Sequence, residues 1–556
     1  MNGLLILLLS ALVLAGGYWL YSHWIERTWG IEHASATPAV RRRDGKEYFS
    51  TRSWLLFAHE FVSICAVLVV FGPIQAARWG WVPVLAWILL GGVLVGGVQE
   101  YCVVYATVKS RGLTLGGLFG KFTGVRWKKV FLAFAWLLCV VAIAAFADIA
   151  ARTLDGFSAV EEADPVRGRA GTVVILMYAF ALMTGLAGRY SRITTWGSRM
   201  ITVTILVCAV MLGMLFPVSL QPSLWHVIIL SLALVSAAGP VWLTLHPRAQ
   251  LHTYLYSAAL LLLLAGLIMG SKTMRLPAYT GFTAGGESLF PWLFVTLTCG
   301  AVSGLQALTA SCVISRQVSS ESRMRRVAFG GVMVQCFVAV FALVCVGTQT
   351  NAAALSASQD PGAVFLSAAA GILSRFGISA DLSGSIYTLL IACLCIGALE
   401  TLARAARVCW VEFFDNGEQE PSTARYILSN SWLGAGVTLL AAFGLARLGY
   451  SALWPLFGSA VQALGGLALL ICAVWLRSTR RTRVWIWLPM LLLLAASLTA
   501  LALVFYGAVT SISRGSAHLF IDLLRAVLAL AVFVVTVLLS IQALRGIRKA
   551  DAPPEE

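Results

Sequence analysis

The sequence predicts an all-α polytopic membrane protein of about fifteen transmembrane helices, and two observations carry that expectation. Only 12% of the 556 residues are charged, whereas 59% are apolar. A soluble domain needs roughly 25% charged residues to wet its surface, so most of this surface faces lipid. Apolar runs long enough to cross a hydrocarbon core of roughly 30 Å also recur from end to end. A bilayer core has no water for backbone N–H and C=O groups, so such runs are helices or strands of a closed barrel. The runs are continuous rather than alternating, which selects helices.

In chain order the expected spans are 2–20, 54–71, 81–104, 130–151, 172–186, 200–216, 224–245, 253–269, 289–310, 327–347, 386–400, 427–446, 453–476, 484–506 and 519–544. Alternating the loops between two sides gives a test. The loops 21–53, 105–129, 187–199, 246–252, 311–326, 401–426, 477–483 and 545–556 hold 30 of the 40 Lys and Arg residues. The opposite side holds 9, and Arg525 lies within a span. The split places the first set in the cytoplasm, with the N-terminus outside and the C-terminus inside. The net charge of +16 then belongs to topology and not to nucleic-acid binding.

Residues 1–550 read as a single transmembrane domain, with the span 2–20 peripheral, a core over roughly 54–476, C-terminal spans over 484–544, and a disordered tail at 551–556. The first run has no basic residue ahead of it and no small-x-small cleavage site, so it reads as a retained span. The segment 113–129 is Gly-rich, amphipathic and basic, as an interfacial segment would be. The apolar stretch 363–376 is too short to span and reads as a re-entrant or surface helix outside. Nearly all twelve cysteines fall inside apolar runs, without metal-ligand spacing, and read as small buried hydrophobes. There is no Walker loop, no H-E-x-x-H and no haem or zinc spacing. No cofactor, no metal and no ATP-driven pump is therefore expected.

Ionisable residues inside spans are costly in lipid and point to function. His59 and Glu60 sit one turn into the second span, Glu100 late in the third and Asp148 near the end of the fourth. Glu400 and Arg404 are spaced i,i+4 in the order that favours an ion pair on one helix. That pair reads equally as a solute site or as a static anchor. Asp522 and Arg525, spaced i,i+3 near the outer surface, read as structural. Helix breakers are the second pointer, because a broken helix frees backbone groups to bind a solute or ion. Gly72-Pro73 ends the second span and Gly239-Pro240 interrupts the seventh. The ninth carries Gly300, Ser303 and Gly304 at mid-depth, with Gln306 following. The segments around His59 and Ser303 share one pattern, an apolar helix with a polar cluster and small residues. They lie seven spans apart, so the two helices run in opposite directions, as an inverted repeat requires.

The chain resembles the carbon starvation protein A (CstA) family of bacterial membrane proteins. The residues that carry the resemblance are the opening Met1-Asn2-Gly3, Glu26-Arg27-Thr28-Trp29-Gly30-Ile31, His59-x-Phe61-x-Ser63-Ile64 and Gly72-Pro73-Ile74-Gln75-Ala76-Ala77. Gly80-Trp81-Val82-Pro83, Ala145-Phe146-Ala147-Asp148-Ile149, Gly239-Pro240-Val241-Trp242 with Pro247-Arg248, Cys299-Gly300-Ala301-Val302-Ser303-Gly304 and Leu453-Trp454-Pro455-Leu456-Phe457-Gly458-Ser459 continue it. The resemblance implies a secondary transporter for peptides, pyruvate or similar small organic acids, coupled to protons and used in carbon starvation. It also implies the inverted five-helix repeats of the amino acid–polyamine–cation transporters.

Several positions depart from the family pattern. A Gly-rich G-A-G-P is replaced by Ala66-Val67-Leu68-Val69, which is expected to unwind less readily. The family's H-D-F is Gln99-Glu100-Tyr101, its G-F-H is Gly304-Leu305-Gln306, and its T-L-D-T…R is Ala398-Leu399-Glu400-Thr401…Arg404. The expected site therefore lies between the second and ninth spans, with Glu400 and Arg404 nearby. Its partners are a small-molecule solute, protons and the lipid bilayer, with no nucleic acid. The alternative is a non-transporting paralogue acting as a membrane sensor or partner subunit. An embedded enzyme has no residue constellation to support it.

Overall fold

The computed structural model describes residues 1–32, 35–157, 162–190, 195–270, 273–298, 302–357, 360–415, 422–447, 449–481, 486–515 and 518–550. Gly300 and the tail 551–556 lie outside the described residues. The chain is helical nearly throughout. Among the described residues, eleven helices are long and apolar enough to cross a membrane, and a bent pair makes a twelfth if it counts as one span.

We number the helices as follows. The N-terminal helix α1 (Gly3–Trp29) precedes the bent pair α2 (Ser53–Ile64) and α3 (Leu68–Trp79), which meet at 44°. Next come α4 (Trp81–Lys109), α5 (Leu115–Thr123), α6 (Val125–Thr153), α7 (Pro165–Tyr190), α8 (Thr195–Leu215), α9 (Pro222–Ala238) and α10 (Leu245–Met269). A second interrupted helix comprises α11 (Leu289–Thr296) and α12 (Gly304–Cys312). The remainder are α13 (Met324–Gln349), α14 (Pro361–Leu373), α15 (Ala380–Phe414), α16 (Ser431–Ala446), α17 (Tyr450–Ser478), α18 (Trp487–Ser513) and α19 (Leu519–Ala550).

Every expected span has a helical counterpart, but not all are simple spans. The second is bent, the ninth is interrupted, and α9 and α16 are short apolar helices. The short helix expected over 363–376 is α14 with one further turn. It packs against α13, α15 and α10 rather than lying free on a surface. Local chemistry sets the ends. The Asp360 side chain accepts from the Gly362 N–H ahead of Pro361 at the first helical position. Ser379 caps α15 and Asn430 caps α16 in the same way. Between α3 and α4, Gly80 adopts φ +98°, and a Cβ there would lie 2.5 Å from the Ala278 carbonyl oxygen. Only glycine fits that turn.

The loops that sequence alternation groups together meet on one face. Lys109 bonds Glu32 and Glu321, Lys128 bonds Glu412, and Tyr48 donates to the Gly112 carbonyl. Glu32 also feels Arg481 and Arg41. Gly546 approaches Phe122. Residues of 187–199 and 246–252 line one vestibule with residues 43–55. We call this the basic face.

The two interrupted helices are side by side. α3 contacts α11 and α2 contacts α12. The first half of each thus meets the second half of the other, which is the antiparallel arrangement of an inverted repeat. Their approach is close, since a Cβ on Gly72 would lie 2.8 Å from the Thr296 carbonyl oxygen. A scaffold surrounds them: α13 packs on α2, α3 and α4, α15 on α6, α10 and α12, and α17 on α12 and α18.

Candidate functional site

The first interruption falls at Cys65-Ala66-Val67, not at Gly72-Pro73, and Pro73 lies inside α3. The departure from a Gly-rich pattern therefore does not prevent unwinding. The Ile64 carbonyl finds two donors, the Ala66 N–H at 2.9 Å and Nε2 of Gln335 on α13 at 3.2 Å. The second interruption is served alike, since Gln99 of α4 donates Nε2 to the Ser303 carbonyl at 2.6 Å. Gln306 on α12 then donates to Gln335 Oε1 at 2.7 Å, tying the two interruptions together. A buried carbonyl without a donor costs roughly 1–3 kcal/mol, so these bonds help to make the breaks tolerable.

Ser63, Ile64, Ala66, Ser303, Gln306 and Thr309 line a cavity of about 10 Å³ between the breaks. That is room for about one water. Gly304 has no space for a side chain, because its Cβ would meet the α17 backbone at 2.4 Å. The Ser63 hydroxyl donates to Thr401 Oγ1 at 3.0 Å, joining α2 to α15.

From there a polar column descends along one face of α15 to the basic face. Glu400 is fully buried, and its carboxylate meets Arg248 of α10, which also bonds the Tyr178 hydroxyl at 3.0 Å. His59 stacks edge-on to His246 at 5.3 Å, and His246 Nε2 lies 2.7 Å from Gln317 Oε1. Arg404 bonds the Gly239 carbonyl and, at 3.1 Å, Glu47. Gly239-Pro240 ends α9 rather than interrupting it, and the freed carbonyl is the one Arg404 takes.

The expected Glu400–Arg404 pair is thus not formed. Each residue has a partner from another segment, Arg248 for Glu400 and Glu47 for Arg404. Two boundaries explain the difference. The stretch 246–252 is the first two turns of α10 rather than a loop, and α15 continues to Phe414. Arg248 is therefore buried in the bundle.

Glu47 lies in a tight turn on the basic face. Asp44 Oδ1 accepts from the backbone N–H of Lys46, Glu47 and Tyr48, each at 2.8 Å. The Glu47 carboxylate reaches Arg404, Arg407 and, at 3.8 Å, Arg316. Burial pushes its pKa up, but the Arg404, Arg407 and Arg316 guanidiniums outweigh burial and hold it at about 2. The turn separates two openings. One is a vestibule of about 650 Å³ that reaches His246, and the other is a basic cleft of about 530 Å³ lined by Arg42, Lys128, Arg316 and Arg407.

Asp148 is not part of this column. Arg152 Nε bonds both of its oxygens, at 3.0 and 2.9 Å, and His226 Nε2 lies 3.3 Å away. Glu60 and Glu100 face one another between α2 and α4. Sequence reasoning did not pick out Glu47, Arg248, His246 or Gln335. The signal for Arg248 was present in Pro247-Arg248, a charged residue just ahead of an apolar run. Nothing in the local sequence marks Glu47, which lies in a polar loop.

A family model described as "Carbon starvation protein CstA" matches residues 2–359 and 348–500. A peptide transporter CstA of Helicobacter pylori is 28% identical over 68% of this chain and 56% of its own length. A pyruvate/proton symporter, BtsT of Escherichia coli, is 30% identical over 62% of this chain and 49% of its own. The chain spans about half the length of these curated relatives. Among solved structures, a manganese transporter of Eremococcus coleocola superposes with a TM-score of 0.52 at 17% identity, covering 91% of this chain and 99% of that one. At that identity the likeness concerns the fold alone.

Proposed function

The chain belongs to the carbon starvation protein CstA family, and on that premise we propose that it is a secondary active transporter of a small organic solute coupled to protons. The observation that carries this reading is the pair of antiparallel interrupted helices, α2/α3 and α11/α12, whose breaks are tied by a hydrogen bond and share a small, water-sized space. A bundle built only for anchoring has no use for two helices broken at the same depth, each with its freed backbone held by a glutamine.

In this reading the basic face is cytoplasmic, in a bacterial inner membrane, with the N-terminus outside and the C-terminus inside. The solute is a carboxylate, such as pyruvate or the C-terminus of a short peptide. Arg404 suits it, because a guanidinium forks onto a carboxylate with two hydrogen bonds. Glu47 holds Arg404 when the path on the basic side is shut, and the solute's carboxylate takes its place during release. His59, Ser303 and Gln306 line the route above it. Glu400, fixed by Arg248, positions α15 against α10 rather than touching solute.

The test is uptake of labelled pyruvate, amino acids and short peptides by a strain lacking its own carriers and expressing this chain. We expect saturable uptake of at least one carboxylate, abolished by collapsing the proton gradient. A chain that reaches the membrane in normal amount and moves none of them would favour a sensor or partner subunit instead.

A further inference from the structure

Glu60 and Glu100 differ from the other buried carboxyl groups of the bundle. Glu400 has Arg248, Asp148 has Arg152, Glu321 has Lys109 and Glu26 has Arg325. Glu60 and Glu100 are both 0% exposed, and none of their four oxygens has a hydrogen-bond donor among the described residues. What each has is the other, within hydrogen-bond reach. Two carboxylates so placed and shielded from water cannot both be ionised, because like charges repel and neither is solvated. One proton between them converts the repulsion into an O–H···O⁻ hydrogen bond.

We propose that Glu60 and Glu100 together hold one proton and form the site of the coupling proton. The idea rests on the proton-coupled reading above and names its residues. Among the described residues no other group competes for the position. His59, next in sequence, turns to His246, while Tyr101 stacks on Trp29 and Cys102 neighbours Cys472 of α17. On α13, Arg325 is taken by Glu26, and Gln335 is turned to Ile64 and Gln306. On α10 and α15, Arg248 and Arg404 are neutralised by Glu400 and Glu47.

The place of the pair in the fold supplies the coupling. Glu60 lies one turn before Ile64, where α2 stops, whereas Glu100 lies on the continuous helix α4. Any swing of α2 about the Cys65–Val67 break changes the separation of the two carboxyls. Gly331 of α13 faces Glu60 and leaves it room, since a Cβ there would lie 3.2 Å from Glu60 Cγ. With the two carboxyls together the proton is shared and retained. With α2 swung away and water admitted, it leaves one carboxyl oxygen for water, and reclosure requires a proton from water on the other side. Only an O–H bond forms and breaks, and no electrons are exchanged.

Two measurements on the full chain in proteoliposomes test this. The first is infrared difference spectroscopy of wild type against the double variant Glu60→Gln with Glu100→Gln at neutral pH. We expect wild type to show the C=O stretch of a protonated carboxyl, deuterium-sensitive, that is lost in the double variant. A difference spectrum without it overturns the proposal, whatever the solute proves to be. The second uses labelled pyruvate with a pH dye inside the vesicles. Glu60→Gln and Glu100→Gln should each retain pyruvate exchange within about threefold of wild type while losing pyruvate-driven acidification. Acidification that persists in either variant, or loss of exchange along with it at normal protein abundance, overturns the assignment. Wild type that moves pyruvate without acidification instead removes the proton-coupled reading, while the infrared result stands on its own.

Discussion

Replacing Glu47 by Gln keeps its size and removes its charge, so it isolates the electrostatic hold on the turn at 44–48. The carboxylate is buried against Arg404 and Arg407, with Arg316 beyond, and its side chain is only 18% exposed. Its pKa falls from an ordinary 4.5 to about 2. At 1.36 kcal/mol per decade, that fall corresponds to about 3 kcal/mol of stabilisation at neutral pH. Because the folded-state pKa is depressed, this contribution is fully present above about 4.5 and is lost only as pH falls towards about 2. The hold is therefore constant between pH 5 and pH 8, roughly the range in which a His changes charge. Hydrogen–deuterium exchange of the protein in nanodiscs reads the hold directly, since the amides of Lys46, Glu47 and Tyr48 are bonded to Asp44. Glu47→Gln should raise exchange over residues 44–52 by up to about 100-fold, leaving α4 and α13 protected. Unchanged exchange in that turn, or a uniform rise across the bundle, would refute the reasoning.

Other variants probe the column and the breaks. Glu400→Gln leaves the Arg248 guanidinium buried without its counter-charge, a loss of roughly 3–5 kcal/mol. Membrane yield and Tm should drop, and the double variant with Arg248→Met should recover much of both. Gln335→Leu removes the acceptor from the Gln306 amide and one of two donors from the Ile64 carbonyl, which keeps the Ala66 N–H. We expect a destabilisation of roughly 1–3 kcal/mol for each group left unpaired, read as a lower Tm in detergent. Arg404→Lys keeps the charge but loses the fork, so uptake should fall at least tenfold while protein level stays near normal. Uptake that survives this change would make the arginine a structural anchor.

Much of the fold was legible because lipid leaves few choices. Continuous apolar runs fix helices, and the distribution of Lys and Arg groups the loops that the structure brings to one face. The direction of the two interrupted helices followed from counting spans between His59 and Ser303. What stayed hidden depends on contacts between distant segments. The break at Cys65–Val67 has no Gly or Pro of its own, and Gln335, some 270 residues later, adds a second donor to the Ile64 carbonyl beside the Ala66 N–H. The Glu400–Arg404 spacing suits a pair on one helix, yet both residues are claimed by Arg248 and Glu47 from elsewhere. Spacing along a helix gives what two residues can reach. It does not give what else reaches them first.

The central claim is that this bundle moves a small carboxylate between its two broken helices. Counterflow in proteoliposomes tests it without any assumption about coupling: vesicles loaded with unlabelled pyruvate or short peptide are diluted into trace labelled solute of the same kind. Transient accumulation of label above equilibrium by wild type, reduced at least tenfold by Arg404→Lys, is the result this account predicts. Label that never exceeds that of empty vesicles, for every carboxylate tried and with folded protein present, would contradict it.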